Sequence, residues 1–321
     1  MSLVVTSASK PRHKALARFA LGLLVYTVPV ILWGAFVRAS LSGDGCGDHW
    51  PLCDGELVPL DPTSKKAVEF THRVTSGFAW IFALVGYLWA RRLDPKGSSI
   101  RRTSGWVLVF MTTEALVGAA IVVLRMVASN PEVARAGWMA AHLVNTFVLL
   151  GALTLFVREA WCGDAPRLRS LRREPLLGLI LVALLLAGMS GAIAALGDTL
   201  FPAETLAEAL AQDLSPSAHL FIRLRIWHPI LALGAAGLIL YLCANLWAGE
   251  PLPSRTRRIA VGLAGLTILQ VGAGFLNVAL LAPVWMQLLH LFLADVIWVG
   301  LIWLWCERVT ESALPADGAR I

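Results

Sequence analysis

The chain contains eight long runs of apolar residues, each long enough to cross a lipid bilayer as a helix. A membrane-spanning helix needs about 20 predominantly apolar residues. The runs cover 16–38, 67–90, 104–127, 138–160, 175–197, 219–247, 257–281 and 284–306. Charged residues make up only 15% of the chain, whereas soluble domains are about a quarter charged. Because only helices or closed barrels satisfy the backbone in lipid, the sequence predicts an all-α integral membrane protein with eight transmembrane helices.

The positive charges follow the order of these runs along the chain. Basic residues cluster before the first run and after the second, fourth and sixth, within 10–18, 91–102, 158–173 and 255–258. Loops on the cytoplasmic side of a membrane carry such an excess of lysine and arginine. The pattern therefore predicts that both termini are cytoplasmic. The net charge of +6 could indicate a nucleic-acid partner. Because the basic residues cluster in alternate loops, we attribute the charge to membrane topology and expect no nucleic-acid partner.

An internal repeat divides the chain into two halves. His72 and His228, which open the second and sixth runs, are 156 residues apart, and so are Glu114 and Gln270. The segment "WGAFVRAS" at the end of the first run likewise resembles "SGAIAALGD" at the end of the fifth. The sequence therefore predicts two pseudo-symmetric four-helix bundles. They comprise residues 1–160 and 175–321, and an arginine-rich cytoplasmic linker, 161–174, joins them.

Four histidines occupy matched depths in alternate runs. His72, His142, His228 and His290 each lie within roughly two turns of the predicted outer end of their helix. A single intramembrane histidine is often a packing residue, but ionisable groups within the membrane are costly and usually functional. Haem iron takes axial histidines, and helix-bundle cores hold such cofactors. Since zinc prefers three or four ligands together, two separate histidine pairs indicate two haem sites.

The residues beside the histidines differ between the halves. Glu69 precedes His72 by three residues, so the two side chains share a helix face. Arg225 stands at the equivalent place in the second half, with Arg223 nearby, and arginine pairs with haem propionates. Arg73 is an equal candidate for the same role in the first half. We therefore expect chemistry in the first half and a fixed haem in the second. Two alternatives remain. Glu69 is a carboxylate that favours the positive end of its helix, and Arg223 and Arg225 are arginines whose charged ends reach the membrane interface.

The outer cysteine loop (39–66) contains the stretch "GDGCGDHWPLCDG". The predicted topology places Cys46 and Cys53 on the non-cytoplasmic side, where disulfides persist. Three interpretations remain open from the residues alone: a structural disulfide, a functional dithiol/disulfide pair, or a zinc site that includes His49. The zinc interpretation lacks an obvious fourth ligand.

The motifs together resemble the bacterial, CtaA-type haem A synthase family. The resemblance rests on "GCGDHWPLC", "EFTHRVTSG", "GAIAALGDTLFPA" and "WHPILALGA", with the four histidines, and it covers about residues 16 to 306. In two respects the chain departs from the family pattern. The second outer loop, roughly 198–218, has no cysteine pair, and Glu114 stands where glutamine is expected.

The resemblance implies an oxidoreductase that oxidises the C8 methyl of haem O to a formyl group, making haem A for aa3-type cytochrome oxidase. It implies a haem b cofactor and a position in the bacterial inner membrane. The implied partners are haem O, membrane lipid and the upstream enzyme haem O synthase (protohaem farnesyltransferase). A homo-oligomer is compatible with the resemblance. Two rival functions remain: a bis-histidine haem electron carrier, and a thiol–disulfide or quinone redox protein.

The same resemblance assigns roles to individual residues. It implies that His228 and His290 hold the iron of haem b, and that haem O docks between His72 and His142. It places Glu69 near the reacting edge as the catalytic residue. It also implies that Cys46 and Cys53 form a disulfide that exchanges electrons or holds the loop over the substrate.

Overall fold

The computed structural model describes residues 13–60, 63–163, 166, 168–249 and 253–312. Within these residues the chain forms α-helices and one short 3-10 helix, Leu168–Arg173, without any extended strand. The α-helices are α1 (Lys14–Ala39), α2 (Ser64–Leu93), α3 (Ser99–Val123), α4 (Val133–Cys162), α5 (Pro175–Leu200), α6 (Leu206–Leu214), α7 (Leu220–Arg225), α8 (Trp227–Ala248), α9 (Ser254–Ala279) and α10 (Val284–Ser312).

Eight helical segments of this structure are long and apolar enough to cross a membrane, which confirms the predicted all-α class and the number of spans. Seven are single helices, and the eighth combines α7 and α8 into the segment Leu220–Ala248. The protein is therefore a multi-pass membrane protein. The further prediction of two pseudo-symmetric bundles is consistent with this arrangement and remains a prediction.

The sixth span differs from its predicted single helix, because it breaks at Ile226 between α7 and α8. Pro229 has no backbone N–H to donate to the carbonyl of Arg225, and its ring crowds that carbonyl. A second difference lies in the loop before this span. There Thr205 caps the amphipathic helix α6 by accepting a hydrogen bond from the backbone N–H of Glu208.

The helices α4 and α10 lie at the seam between the two predicted halves. Their spans are the most buried, at 61% and 44%, against 22–28% for the other six. Helix α4 packs against α1, α3, α5 and α10, while α10 packs against α1, α4, α5 and α9. Helix α4 also continues two residues beyond the predicted end of the first half at residue 160.

A buried ionic cluster joins α4, α9 and α10 at the end of the bundle remote from the outer cysteine loop. The Glu307 carboxylate accepts hydrogen bonds from Arg158 at 2.9 Å and from the Trp303 indole at 3.1 Å. Arg255 lies 2.8 Å from the same oxygen, but its side chain is half exposed. The side chain of Arg158 is only 3% exposed, so this is a buried ion pair.

We expect Glu307→Ala to lower the free energy of unfolding by about 3 kcal/mol, because the change removes the carboxylate of a buried ion pair that Trp303 also contacts. Arg255→Ala removes a half-exposed partner of the same carboxylate and should cost less than about 1 kcal/mol. Thermal or denaturant unfolding in detergent measures both variants. Equal losses of unfolding free energy in the two variants would show that burial of the Arg158–Glu307 pair adds no stability.

Candidate functional site

The outer cysteine loop is closed by a disulfide between Cys46 and Cys53, and both residues are buried. The bond uses both sulfur atoms, so the interpretation of the loop as a zinc site with His49 is not supported. Among the residues that the structure describes, no group of three or more histidine, cysteine or acidic side chains converges on one point. The structural and the redox interpretations of the disulfide both remain.

Glu69 ties helix α2 to this loop. Its carboxylate, only 3% exposed, accepts a hydrogen bond from the Cys46 backbone N–H at 2.9 Å. The other carboxylate oxygen accepts from Nε and Nη2 of Arg73, at 3.1 and 2.5 Å. Arg73 in turn donates through Nη1 to the carbonyls of His49 and Leu52. The sequence predicts that Glu69 lies beside His72, but it does not predict the contacts of Glu69 and Arg73 with the loop. The i,i+4 spacing of Glu69 and Arg73 does indicate that these two side chains pair.

Each of the four predicted histidines lies against a glycine on a neighbouring helix. The distance from the histidine Cε1 to the position of a Cβ on that glycine is between 2.9 and 3.8 Å. A larger residue would displace three of the four rings. The pairs are His72 with Gly34, His142 with Gly118, His228 with Gly191 and His290 with Gly274.

In the second half, His228 and His290 face each other with ring centroids 6.2 Å apart. Nδ1 of His228 lies 3.1 Å from the carbonyl oxygen of Ala187 and 3.3 Å from Oγ of Ser190. A hydrogen bond to that carbonyl fixes which ring nitrogen carries the proton, and it leaves Nε2 free to bind a metal. In His290, Nε2 lies 3.2 Å from the side-chain nitrogen of Gln270.

In the first half, His142 lies beside a hydrogen-bonded group on α3 and α4. Its Nδ1 is 3.5 Å from Oε1 of Glu114. Asn145 donates to Oε2 of Glu114 at 2.5 Å, and the Thr146 hydroxyl donates to Oε1. Glu114 thus bridges α3 to α4 next to the histidine.

These residues fit the ligand set of haem iron. Buried Nδ1 atoms of His72, His142 and His290 have no hydrogen-bond partner among the described residues. An imidazole nitrogen without a hydrogen-bond partner is available to a metal ion. Since a metal–nitrogen bond is about 2 Å long, two imidazoles on one ion have centroids about 6 Å apart, close to the spacing of His228 and His290.

The arginines predicted to contact propionates have other partners in the structure. Arg73 is paired with Glu69, as described above. Arg225 is paired with Asp198 at 2.7 Å and with Asp213 of α6 at 2.6 Å, while Arg223 is exposed. Their role as propionate ligands stays a prediction, and at least two of them already hold carboxylates.

The close contact between Gly191 and His228 predicts how a larger residue at position 191 affects stability. A Cβ at Gly191 would lie 2.9 Å from Cε1 and 3.2 Å from Nδ1 of His228, which Ala187 and Ser190 hold in place. Gly191→Ala should therefore destabilise the protein by about 2 kcal/mol. At Gly118 the Cβ lies 3.8 Å from His142, so Gly118→Ala should leave stability unchanged or raise it through helix propensity. Unfolding in detergent measures the stability of both variants. Equal changes in stability would contradict tight packing at His228.

A family model described as "Cytochrome oxidase assembly protein" matches residues 17–302. A "Protoheme IX farnesyltransferase" of Thermus thermophilus is 46% identical over 318 residues, which are 97% of this chain and 50% of that protein. The chain therefore spans about half the length of this relative.

Several relatives named "Heme A synthase" match about a third of the chain. The protein from Symbiobacterium thermophilum is 37% identical over 109 residues, which are 34% of this chain and 35% of that protein. The protein from Shouchella clausii is 34% identical over 114 residues, 35% of this chain and 37% of that protein. The family model, matching nearly the whole chain, confirms the resemblance drawn from the motifs. The chain belongs to the COX15-CtaA family of cytochrome oxidase assembly proteins.

Proposed function

We propose that the protein is a haem A synthase, which oxidises the C8 methyl of haem O to a formyl group. Haem A then serves aa3-type cytochrome oxidase. The observation that carries the proposal is the set of four histidines, each ring lying against a glycine, with His228 and His290 6.2 Å apart between ring centroids. Family membership and the relatives named "Heme A synthase" support it.

The first half is the proposed substrate site. His72 and His142 would hold the iron of haem O, with Glu69 one turn from His72 on the same face of α2. Two successive hydroxylations would each add the oxygen of one water to the methyl carbon and release two protons, with two electrons passing to an external electron acceptor. The resulting gem-diol loses water to form the aldehyde. Oxidation at the methyl carbon releases protons, and a positioned carboxylate accepts a proton or stabilises a cationic intermediate. The contacts of Arg73 and the Cys46 N–H keep the Glu69 carboxylate in place for this role.

The second half is the proposed site of haem b, with His228 and His290 as iron ligands. A haem bound there supplies electron-transfer chemistry. The contact of His228 Nδ1 with the Ala187 carbonyl orients this imidazole. The Cys46–Cys53 disulfide holds the outer cysteine loop against α2 beside the substrate site, and a redox role for it belongs to the same proposal.

The proposed setting is the bacterial inner membrane, with both termini in the cytoplasm and haem O arriving from surrounding lipid. The proposed upstream partner is haem O synthase. The Thermus relatives support this partnership, because proteins about twice as long as this chain carry the name "Protoheme IX farnesyltransferase" and match it along half their length. A homo-oligomer is compatible with the proposal.

The name of those relatives supports a second candidate function, the farnesylation of protohaem. The two functions differ in substrate and product. A farnesyltransferase converts haem B to haem O and needs a farnesyl donor, whereas a synthase converts haem O to haem A. A bis-haem carrier, or a thiol or quinone redox protein, leaves haem O unchanged.

The test is the identity of the haem extracted from membranes of a host that makes haem O and lacks its own haem A synthase. The protein is expressed alongside its His72→Ala variant, and haems are separated by chromatography and identified by mass spectrometry. Haem A with the wild type and none with the variant is the expected result. Haem B and haem O alone, from folded and haem-loaded protein, would overturn the synthase proposal. New haem O in a host that makes only haem B would support the farnesyltransferase.

A further inference from the structure

Arg38, near the end of α1, reaches across the seam into the second half. Its Nη1 donates to the carbonyl of Ala195 and the hydroxyl of Thr199, both at 2.8 Å. Its Nη2 donates to the side-chain oxygen of Gln287 at 2.7 Å. These acceptors lie on α5 and α10, and all three are uncharged.

The positions of these acceptors place the guanidinium beside the second histidine pair. Ala195 follows Gly191, the glycine against which His228 lies, by one helical turn. Gln287 precedes His290 by three residues on α10. At 1.5 Å per residue, the Arg38 guanidinium lies roughly 5 Å from the histidines along the helix axes, toward the outer cysteine loop.

Arg38 differs from the other arginines near the histidines because it has no carboxylate within 4 Å among the described residues. A guanidinium has five N–H donors, and the three hydrogen bonds leave its Nε–H and one Nη2–H unused. Arg73 holds the carboxylate of Glu69 through this same Nε/Nη2 edge. Arg38 is of intermediate burial, and these two donors have no partner among the described residues.

The charges around Arg38 leave room for an anion. Arg135, which is 2% exposed, repels Arg38, and its own Nε has no hydrogen-bond partner. Asp198 attracts Arg38 but is already paired with Arg225, which also holds Asp213. Within this group of five side chains, three guanidinium groups thus face two carboxylates. One further carboxylate would balance the cluster.

We propose that Arg38 binds a carboxylate of the ligand held between His228 and His290, which under the proposed function is a haem propionate. Arginine binds carboxylates through two parallel N–H donors, in charge-assisted hydrogen bonds. A residue of the first half would thereby help to hold the cofactor of the second. This inference rests on the proposed haem site and adds a residue that its two histidines do not supply.

The test compares haem B with its dimethyl ester, whose propionates are uncharged, by titrating each into purified haem-free protein. Wild type should bind haem B at least about tenfold more tightly than the ester, the effect of one charge-assisted hydrogen bond. In Arg38→Gln this preference should fall to less than about threefold, and Arg38→Lys should restore part of it. Arg158→Gln changes a buried arginine at the opposite end and should keep the preference.

Equal binding of both haems by the wild type would overturn the proposal, whether or not the variants fold. An undiminished preference in folded Arg38→Gln would also overturn it. Failure of the haem site itself gives a different result. In that case His228→Ala and His290→Ala would bind haem B as tightly as the wild type.

Discussion

Glu69→Gln is expected to lower the formation of haem A by at least about 100-fold, the usual effect of a positioned proton-transfer group. Glutamine has the shape of glutamate, but its single side-chain oxygen accepts either from the Cys46 N–H or from Arg73, so the loop keeps one of these two ties. What the variant loses is the negative charge and the ability to take a proton. The measurement is the ratio of haem A to haem O in membranes of the expressing host.

A structural role for Glu69 predicts a different result. If the carboxylate only holds the outer cysteine loop, Glu69→Gln should lower haem A formation no more than Arg73→Leu, which breaks the same ion pair and keeps the carboxylate. Haem content serves as the control, because His72 and His142 are unchanged and substrate should still bind. A variant that binds haem O and forms haem A at the wild-type rate would remove Glu69 from the proposed mechanism.

Arg73→Leu is expected to detach the outer cysteine loop from α2, at a cost of about 4 kcal/mol. The side chains of Arg73 and Glu69 are only 10% and 4% exposed, so the variant leaves a buried carboxylate without its cation. It also removes the donors to the carbonyls of His49 and Leu52. Amide hydrogen exchange within 41–60 should accelerate, and haem A formation should fall with it.

The matched control is Arg125→Leu, which removes the partner of Asp48 in the same loop. That ion pair is exposed, and it lowers the pKa of the Asp48 carboxyl mainly through the Arg125 hydrogen bond. An exposed pair contributes little to stability, so exchange in the loop should barely change. Equal acceleration in both variants would mean that burial of the Glu69–Arg73 pair does not hold the loop.

Much of the fold follows from hydropathy, because a bilayer-spanning helix must be long and apolar. The eight spans are therefore predictable to within a few residues. The break at Ile226 is less obvious, since it depends on a single proline inside an apolar run. Helix α6 falls in a stretch that hydropathy assigns to a loop. Its signals are the Thr205–Glu208 capping box and leucines at 206, 210 and 214.

The candidate site is predictable only where its residues stand close in sequence. Glu69 and His72 share one helix face, and Cys46 and Cys53 lie seven residues apart. The contacts of Arg38 instead join residues 157 to 249 positions apart, and no local pattern signals them. The glycines that face the histidines are an intermediate case. Gly34 and Gly191 occupy equivalent places in the repeat, but their purpose emerges only from packing.

The division of work between the two halves is the central claim, and haem retention tests it most directly. Wild type, His72→Ala and His228→Ala are purified from a host that makes haem B but no haem O, and haem per chain is measured. The account predicts that wild type and His72→Ala retain similar amounts of haem B, while His228→Ala loses most of it. Loss from His72→Ala as large as from His228→Ala, or full retention by His228→Ala, would contradict it.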